Sequence, residues 1–118
     1  FKLSGLELDN EYRDDPLLGS IYIDFPILDR KGNRLFLTDL IANSYNLLSF
    51  SKIKLEFPNY LNIISVGEKT NQDADFLDFE GKGLERYLSD LNYLIRPDGY
   101  IVGIFKEVNI KTLAKCML

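Results

Sequence analysis

The stretch Tyr93-Leu94-Ile95-Arg96-Pro97-Asp98-Gly99-Tyr100-Ile101-Val102-Gly103-Ile104-Phe105 decides how this chain is put together. Two apolar runs flank Pro97-Asp98-Gly99. The proline ring fixes φ for a turn and the glycine supplies a positive φ, so the runs fold back as an antiparallel hairpin. Two readings of Arg96 and Asp98 stand. Either they are turn chemistry, with Arg96 paired to a nearby carboxylate, or they are presented to another domain or subunit. Downstream, Asn109 is a good N-cap for a closing helix over 110–118, with Ile110, Leu113, Ala114 and Met117 on one stripe. Upstream, Leu84, Tyr87, Leu88 and Leu91 fall at i, i+3, i+4 and i+7, which predicts a helix over 84–91.

Further from the hairpin lie two apolar runs, 45–50 and 61–66, too continuous for strands with one wet face. They read as central, doubly covered strands, a parallel pair with helices on the faces. Only residues 51–60, with Pro58 near their end, separate them, so any helix between would be short. Residues 21–28 alternate with a period of two, and Pro26, which cannot donate to a ladder, implies an edge strand. A turn at 29–33 and a return strand at 34–37 make a first hairpin, after which Thr38 can cap a short helix over 39–43. Residues 67–83 are the least structured stretch, acidic and polar with Phe76, Leu77 and Phe79 as anchors. Residues 1–19 read as a linker whose few apolar side chains dock on a body spanning 20–118. The sum is an α/β sandwich, a mixed central sheet with flanking helices and an N-terminal β-hairpin. Its ending, helix then hairpin then helix, is that of a thioredoxin-like domain.

Composition narrows the chemistry. The 118 residues hold 14 Lys plus Arg against 18 Asp plus Glu, a net charge of −4, which argues against nucleic acid as a partner. There is one Cys, Cys116, and no His, so an intramolecular disulfide, a Cys/His zinc site and a histidine base are all excluded within this sequence. No apolar run approaches the roughly 18–20 residues of a membrane span, and a reducing, cytoplasmic setting is expected. A chain opening on Phe1 is expected to be a piece of a longer protein.

The thioredoxin-like outline invites a redox reading that the residues oppose. Thiol exchange needs a Cys of lowered pKa at a helix N-terminus just after the first central strand. Ser51-Lys52-Ile53-Lys54 stands there instead, and Leu91-Asn92 stands where redox members of the fold carry a proline before the closing hairpin. Cys116, in the last turn of the terminal helix, reads as a surface or helix-packing residue. The acidic group Asp73, Asp75, Asp78 and Glu80 fails as a calcium loop, because an EF-hand starting at Asp73 needs Gly and Glu where Asp78 and Leu84 stand. Gly81-Lys82-Gly83 and Gly67-Glu68-Lys69-Thr70 lack the spacing of dinucleotide and phosphate loops and read as loop glycines. No catalytic, cofactor-binding or metal-binding residue emerges. Seven tyrosines, Tyr12, Tyr22, Tyr45, Tyr60, Tyr87, Tyr93 and Tyr100, hint at an interface.

Taken in order, Pro16-Leu17-Leu18-Gly19, Leu37-Thr38-Asp39-Leu40, Tyr45-Asn46-Leu47-Leu48, Ile64-Ser65-Val66-Gly67 and above all Arg96-Pro97-Asp98-Gly99 with its flanks resemble the C-terminal thioredoxin-like domain of FAD-dependent aromatic-ring hydroxylases. These are the phenol hydroxylase, 3-hydroxyphenylpropionate hydroxylase and aromatic polyketide hydroxylase type. The resemblance implies a non-catalytic accessory domain that packs on upstream flavin-binding and substrate domains, or on a second copy as a homodimer. FAD and NAD(P)H would then bind in the parent and not in this piece. The alternative is a stand-alone thioredoxin-like or peroxiredoxin-related protein that has lost its redox cysteines and acts as a binding module.

Overall fold

The computed structural model describes residues 14–50, 61–68 and 73–117. The hairpin forms as its sequence dictates. β6 (Asn92–Ile95) and β7 (Ile101–Phe105) pair antiparallel with a bulge between Leu94 and Ile95. Gly99 takes φ +93°, its N–H donates to Arg96 O at 2.8 Å, and Arg96 N–H donates to Tyr100 O at 2.8 Å.

The other strands are β1 (Pro26–Leu28), β2 (Arg34–Phe36), β3 (Tyr45–Ser49), β4 (Leu61–Glu68) and β5 (Phe76–Asp78). They join the hairpin in one mixed seven-stranded sheet of order β2-β1-β5-β4-β3-β6-β7. β3 and β4 run parallel in the middle, in a register that pairs Asn46 with Asn62, Leu47 with Ile63 and Ser49 with Ser65, as their unbroken apolar runs lead one to expect. The connection between them, residues 51–60, lies outside the described residues, as do 1–13 of the expected linker. Within the remainder of that linker, Leu17 and Leu18 pack on the core and Gly19 N–H donates to Ile101 O.

Pleating sorts the side chains into two clusters. One face of the sheet carries Ile27, Leu48, Ile64, Val66, Tyr93, Ile95 and Ile104 against Phe25, Leu37, Phe50, Tyr87 and Leu91. The other carries Leu47, Leu61, Leu94, Val102 and Phe105 against Leu113 and Cys116 of α2 (Ile110–Cys116). Asn109 caps α2 as expected, its side chain accepting Lys111 N–H at 2.8 Å and Thr112 N–H at 3.2 Å. The buried side of that helix is Leu113 and Cys116, whereas Ile110, expected on the stripe, is 48% exposed.

Several local expectations are corrected, some of them by a competing hydrogen bond. No helix forms over 84–91. Gly83 O takes the N–H groups of both Arg86 and Tyr87, but Leu88 N–H is captured by the Tyr93 hydroxyl at 2.8 Å, so the ladder stops after one turn and Leu88 turns outward. The strand expected over 21–28 shrinks to β1. Ile21 bridges Tyr100, and the backbone of Ile23 is met by a side chain: the Tyr87 hydroxyl accepts its N–H at 2.6 Å and donates to its C=O at 2.7 Å. Pro26 lies on an inner strand, tolerated because it is the first residue of β1 and pairing with β5 begins only at Leu28. The short helix is α1 (Leu37–Leu40), starting two residues earlier than expected, so that Thr38 lies inside it and Phe36 takes the N-cap position. The Asp39 carboxylate accepts Phe36 N–H, while Thr38 donates its N–H to Asp24 and shares a hydrogen bond with the Tyr22 hydroxyl. The stretch after β4 holds β5, and Gly67 belongs to β4 rather than to a loop.

Candidate functional site

In sheets with parallel strands the carboxyl ends of those strands are where ligands and chemistry collect, because loops and helix termini converge there. In this molecule that end of the β3–β4 pair is marked by its last register pair, Ser49, which ends β3, and Ser65, beyond which β4 runs on to Glu68. Asn92 opens the antiparallel β6 directly opposite Ser49, and Phe105 is opposite Asn92. Register partners project to the same side of a sheet, so Ser65, Ser49, Asn92 and Phe105 form one row on the α2 face. Ser49 is fully buried, Ser65 is 5% exposed and Asn92 is 4% exposed. The Asn92 amide donates to Phe105 O at 3.1 Å and Lys106 O at 3.3 Å, fixing the start of the hairpin. Among the described residues, its Oδ1 and the Ser65 Oγ have no hydrogen-bond partner.

The opposite face and end hold a second polar group. Asn46 Oδ1 accepts Ala42 N–H at 2.8 Å and Asn62 Nδ2 at 2.9 Å, while Asn46 Nδ2 donates to Ala42 O at 3.1 Å and Ser44 O at 3.0 Å. Asn62 Nδ2 also donates to Leu40 O. This island fastens the α1–β3 connection to the sheet. Neither polar island was among the residues singled out from sequence.

Arg96, Pro97, Asp98 and Gly99 sit at the other end of β6 from Asn92, so the structure does not bring them to the row. The Arg96 guanidinium grips the Asp98 carboxylate through both Nε and Nη2, and it lies 5.5 Å from the Tyr100 ring centroid. This hydrogen bonding holds Asp98 below the usual carboxylate range and raises Arg96. The turn is tied to its own chain, since Tyr22 N–H donates to Gly99 O and Ile101 N–H to Ser20 O. In the acidic group, Asp78 is buried and accepts Gly83 N–H at 3.1 Å and Leu84 N–H at 2.9 Å, while Glu80 pairs with Arg34 at 3.1 Å. Asp78 thus closes a loop, and Gly83 is required there because a Cβ would meet the Phe25 ring at 2.5 Å. Among the described residues no group of three or more Cys, Asp or Glu side chains is arranged to hold a metal ion.

Two of the tyrosines counted as interface hints are core. Tyr87 and Tyr93 meet edge to face at 4.9 Å between centroids, and Phe25 and Phe50, stacked on each other, lie tilted against Tyr87. Burial drives both phenols up from the ordinary value of 10.0. A further concavity, an open groove of about 520 Å³, is lined by Leu17, Ile21 and Ile23 together with Asp15, Glu85 and Arg86.

The architecture has solved counterparts. A thiol-disulfide oxidoreductase of Bacteroides vulgatus, represented by its thioredoxin domain, superposes with a TM-score of 0.59 at 18% identity, covering 81% of this chain and 91% of that one. A proposed thiol-disulfide oxidoreductase of the same organism gives 0.60 at 16%, covering 89% and 99%. The fold is thioredoxin-like. A proposed protein disulfide isomerase of Bacteroides thetaiotaomicron gives 0.56 at 17%, covering 82% and 83%. No family model matches the chain, and no curated protein does. Nothing in these comparisons links the thioredoxin-like chain to the flavin-dependent hydroxylases that its hairpin resembles. No helix among the described residues is long and apolar enough to cross a membrane.

Against this fold, the place for a redox thiol is just beyond β3. Ser51-Lys52-Ile53-Lys54 occupies it in sequence and lies outside the described residues. Cys116 is elsewhere, buried in α2 against the Leu47, Leu94 and Leu113 cluster.

Proposed function

We propose that this chain is a thioredoxin-like module that has lost the thiols of its fold and works by binding rather than by disulfide exchange. The observation that carries the reading is a mismatch of fold and residues. The sheet matches those of thiol-disulfide oxidoreductases, yet the four residues after β3 include no cysteine and the single cysteine of the sequence is packed in α2. Exchange proceeds by attack of an accessible thiolate on a disulfide and is completed by a second thiol. A buried thiol without a neighbouring cysteine in this sequence can do neither step. Accessory packing on upstream flavin-binding and substrate domains, with FAD and NAD(P)H held there, rests only on a sequence resemblance, above all that of Arg96-Pro97-Asp98-Gly99. The likeness to thioredoxin-like thiol-disulfide oxidoreductases favours a general binding module instead.

The test is insulin reduction by dithiothreitol with and without the chain. The expected result is precipitation at the rate of dithiothreitol alone. Acceleration that disappears in Cys116→Ser would overturn the reading, because it would show a working thiol.

A further inference from the structure

The row on the α2 face contains a hydroxyl and an amide oxygen, Ser65 Oγ and Asn92 Oδ1, that are buried and without partners among the described residues. We infer that this row is an internal hydration site holding at least two water molecules, one accepting from Ser65 and one donating to Asn92. Leaving such groups unmet in an interior is unfavourable by about as much as a lost hydrogen bond, and internal water is the usual remedy.

Number and identity both follow from the geometry. Ser65 and Asn92 lie on the strands either side of β3. Two spacings of about 4.8 Å put them roughly 10 Å apart. One water reaches partners no more than about 6 Å apart, since each of its hydrogen bonds is about 2.8 Å long. A single molecule therefore cannot serve both ends. The row has no ionisable side chain, so nothing in it selects an ion. It offers one donor to an acceptor and one acceptor to a donor, which suits a neutral species that can do both. With Ser65 5% and Asn92 4% exposed, that species must be small enough to enter without unfolding the sheet. Water meets these conditions. The inference does not depend on the redox reading, because neither group is a thiol.

The experiment is a high-resolution crystal structure of the chain, with water-to-protein NOE spectroscopy in solution, repeated on Ser65→Ala. The expected result is ordered water within about 3.2 Å of both Ser65 Oγ and Asn92 Oδ1 in the original chain. In Ser65→Ala the water near position 65 should be lost, the one at Asn92 kept, and Tm lowered by about 3–6 °C. A dry row, an organic molecule in place of water, or an unchanged or raised Tm in Ser65→Ala would each overturn it. Should the variant fail to fold, water detection on the original chain still decides.

Discussion

The two faces of the central sheet are fastened differently. On one, the covering segments contain a single short helix, α1, and are tied down by side chains reaching into distant backbone. Tyr87 holds Ile23, Tyr93 holds Leu88, Asp24 holds Thr38, and the Asn46–Asn62 pair holds the α1–β3 connection. On the other, α2 lies over the sheet by apolar contact, and the polar row beneath leaves two atoms without partners among the described residues. The same polar residue types thus lock one face and leave the other incomplete. What separates the two is whether a neighbouring segment supplies backbone groups at the right place, not the polarity of the strand itself.

The largest effect that would sharpen this contrast is at Asn46. Truncation to Ala leaves Ala42 N–H, Ala42 C=O, Ser44 C=O and one donor of Asn62 without their partner. Several half-buried groups stranded together should cost about 3–4 kcal/mol in urea unfolding. If Asn46→Ala cost no more than Ser65→Ala, the two islands would be equivalent and the contrast would fail.

Much of this was legible in the sequence, and the reason varies by element. The Pro97-Asp98-Gly99 hairpin, the β3–β4 pair and the Asn109 cap rest on local chemistry or an unbroken apolar run, and each appears where expected. The helix over 84–91 failed because the Tyr93 hydroxyl competes for Leu88 N–H, a contact between two segments that no helical period records. β5 was hidden because Phe76-Leu77-Asp78 is only three residues long. The candidate site did carry a signal. Tyr45-Asn46-Leu47-Leu48-Ser49 and Leu61-Asn62-Ile63-Ile64-Ser65 share one pattern, Asn then two aliphatics then Ser, and pairing in register places both polar positions side by side. Which island would be completed was not readable, since the completing groups come from residues 40–44 on one face and from no described residue on the other.

A smaller but pH-dependent test breaks the first face at Tyr87. Phe at this position strands both backbone groups of Ile23, for an expected loss of about 1–3 kcal/mol. Burial raises the phenols of Tyr87 and Tyr93 in the folded state above 10.0, so folding favours their protonated forms. That contribution is complete below pH 10 and is lost as pH climbs from the unfolded value of 10.0 toward the folded one. Stability measured by denaturant should therefore fall above pH 10, by up to about 1.4 kcal/mol per pH unit for each tyrosine. Tyr87→Phe should flatten the fall by one tyrosine's share. An alkaline slope identical in the two proteins would show that Tyr87 does not hold its proton through burial.

The smallest expected effect probes the second face through the end of α2. Asn109 Oδ1 serves Lys111 N–H and Thr112 N–H, and a helix of seven residues has little propensity of its own to fall back on. Asn109→Ala should cost about 1 kcal/mol, whereas Asn109→Asp, which keeps the acceptor and adds a favourable charge at the helix start, should cost nothing or stabilise slightly. The informative readout is local. Because Leu113 and Cys116 cover the α2 face, loosening the cap should speed amide exchange in α2 and raise the reactivity of Cys116 toward a thiol reagent, while exchange around Asn46 stays unchanged. Equal acceleration at both places would mean that the two faces open as one unit, and that their different fastenings do not make them separable.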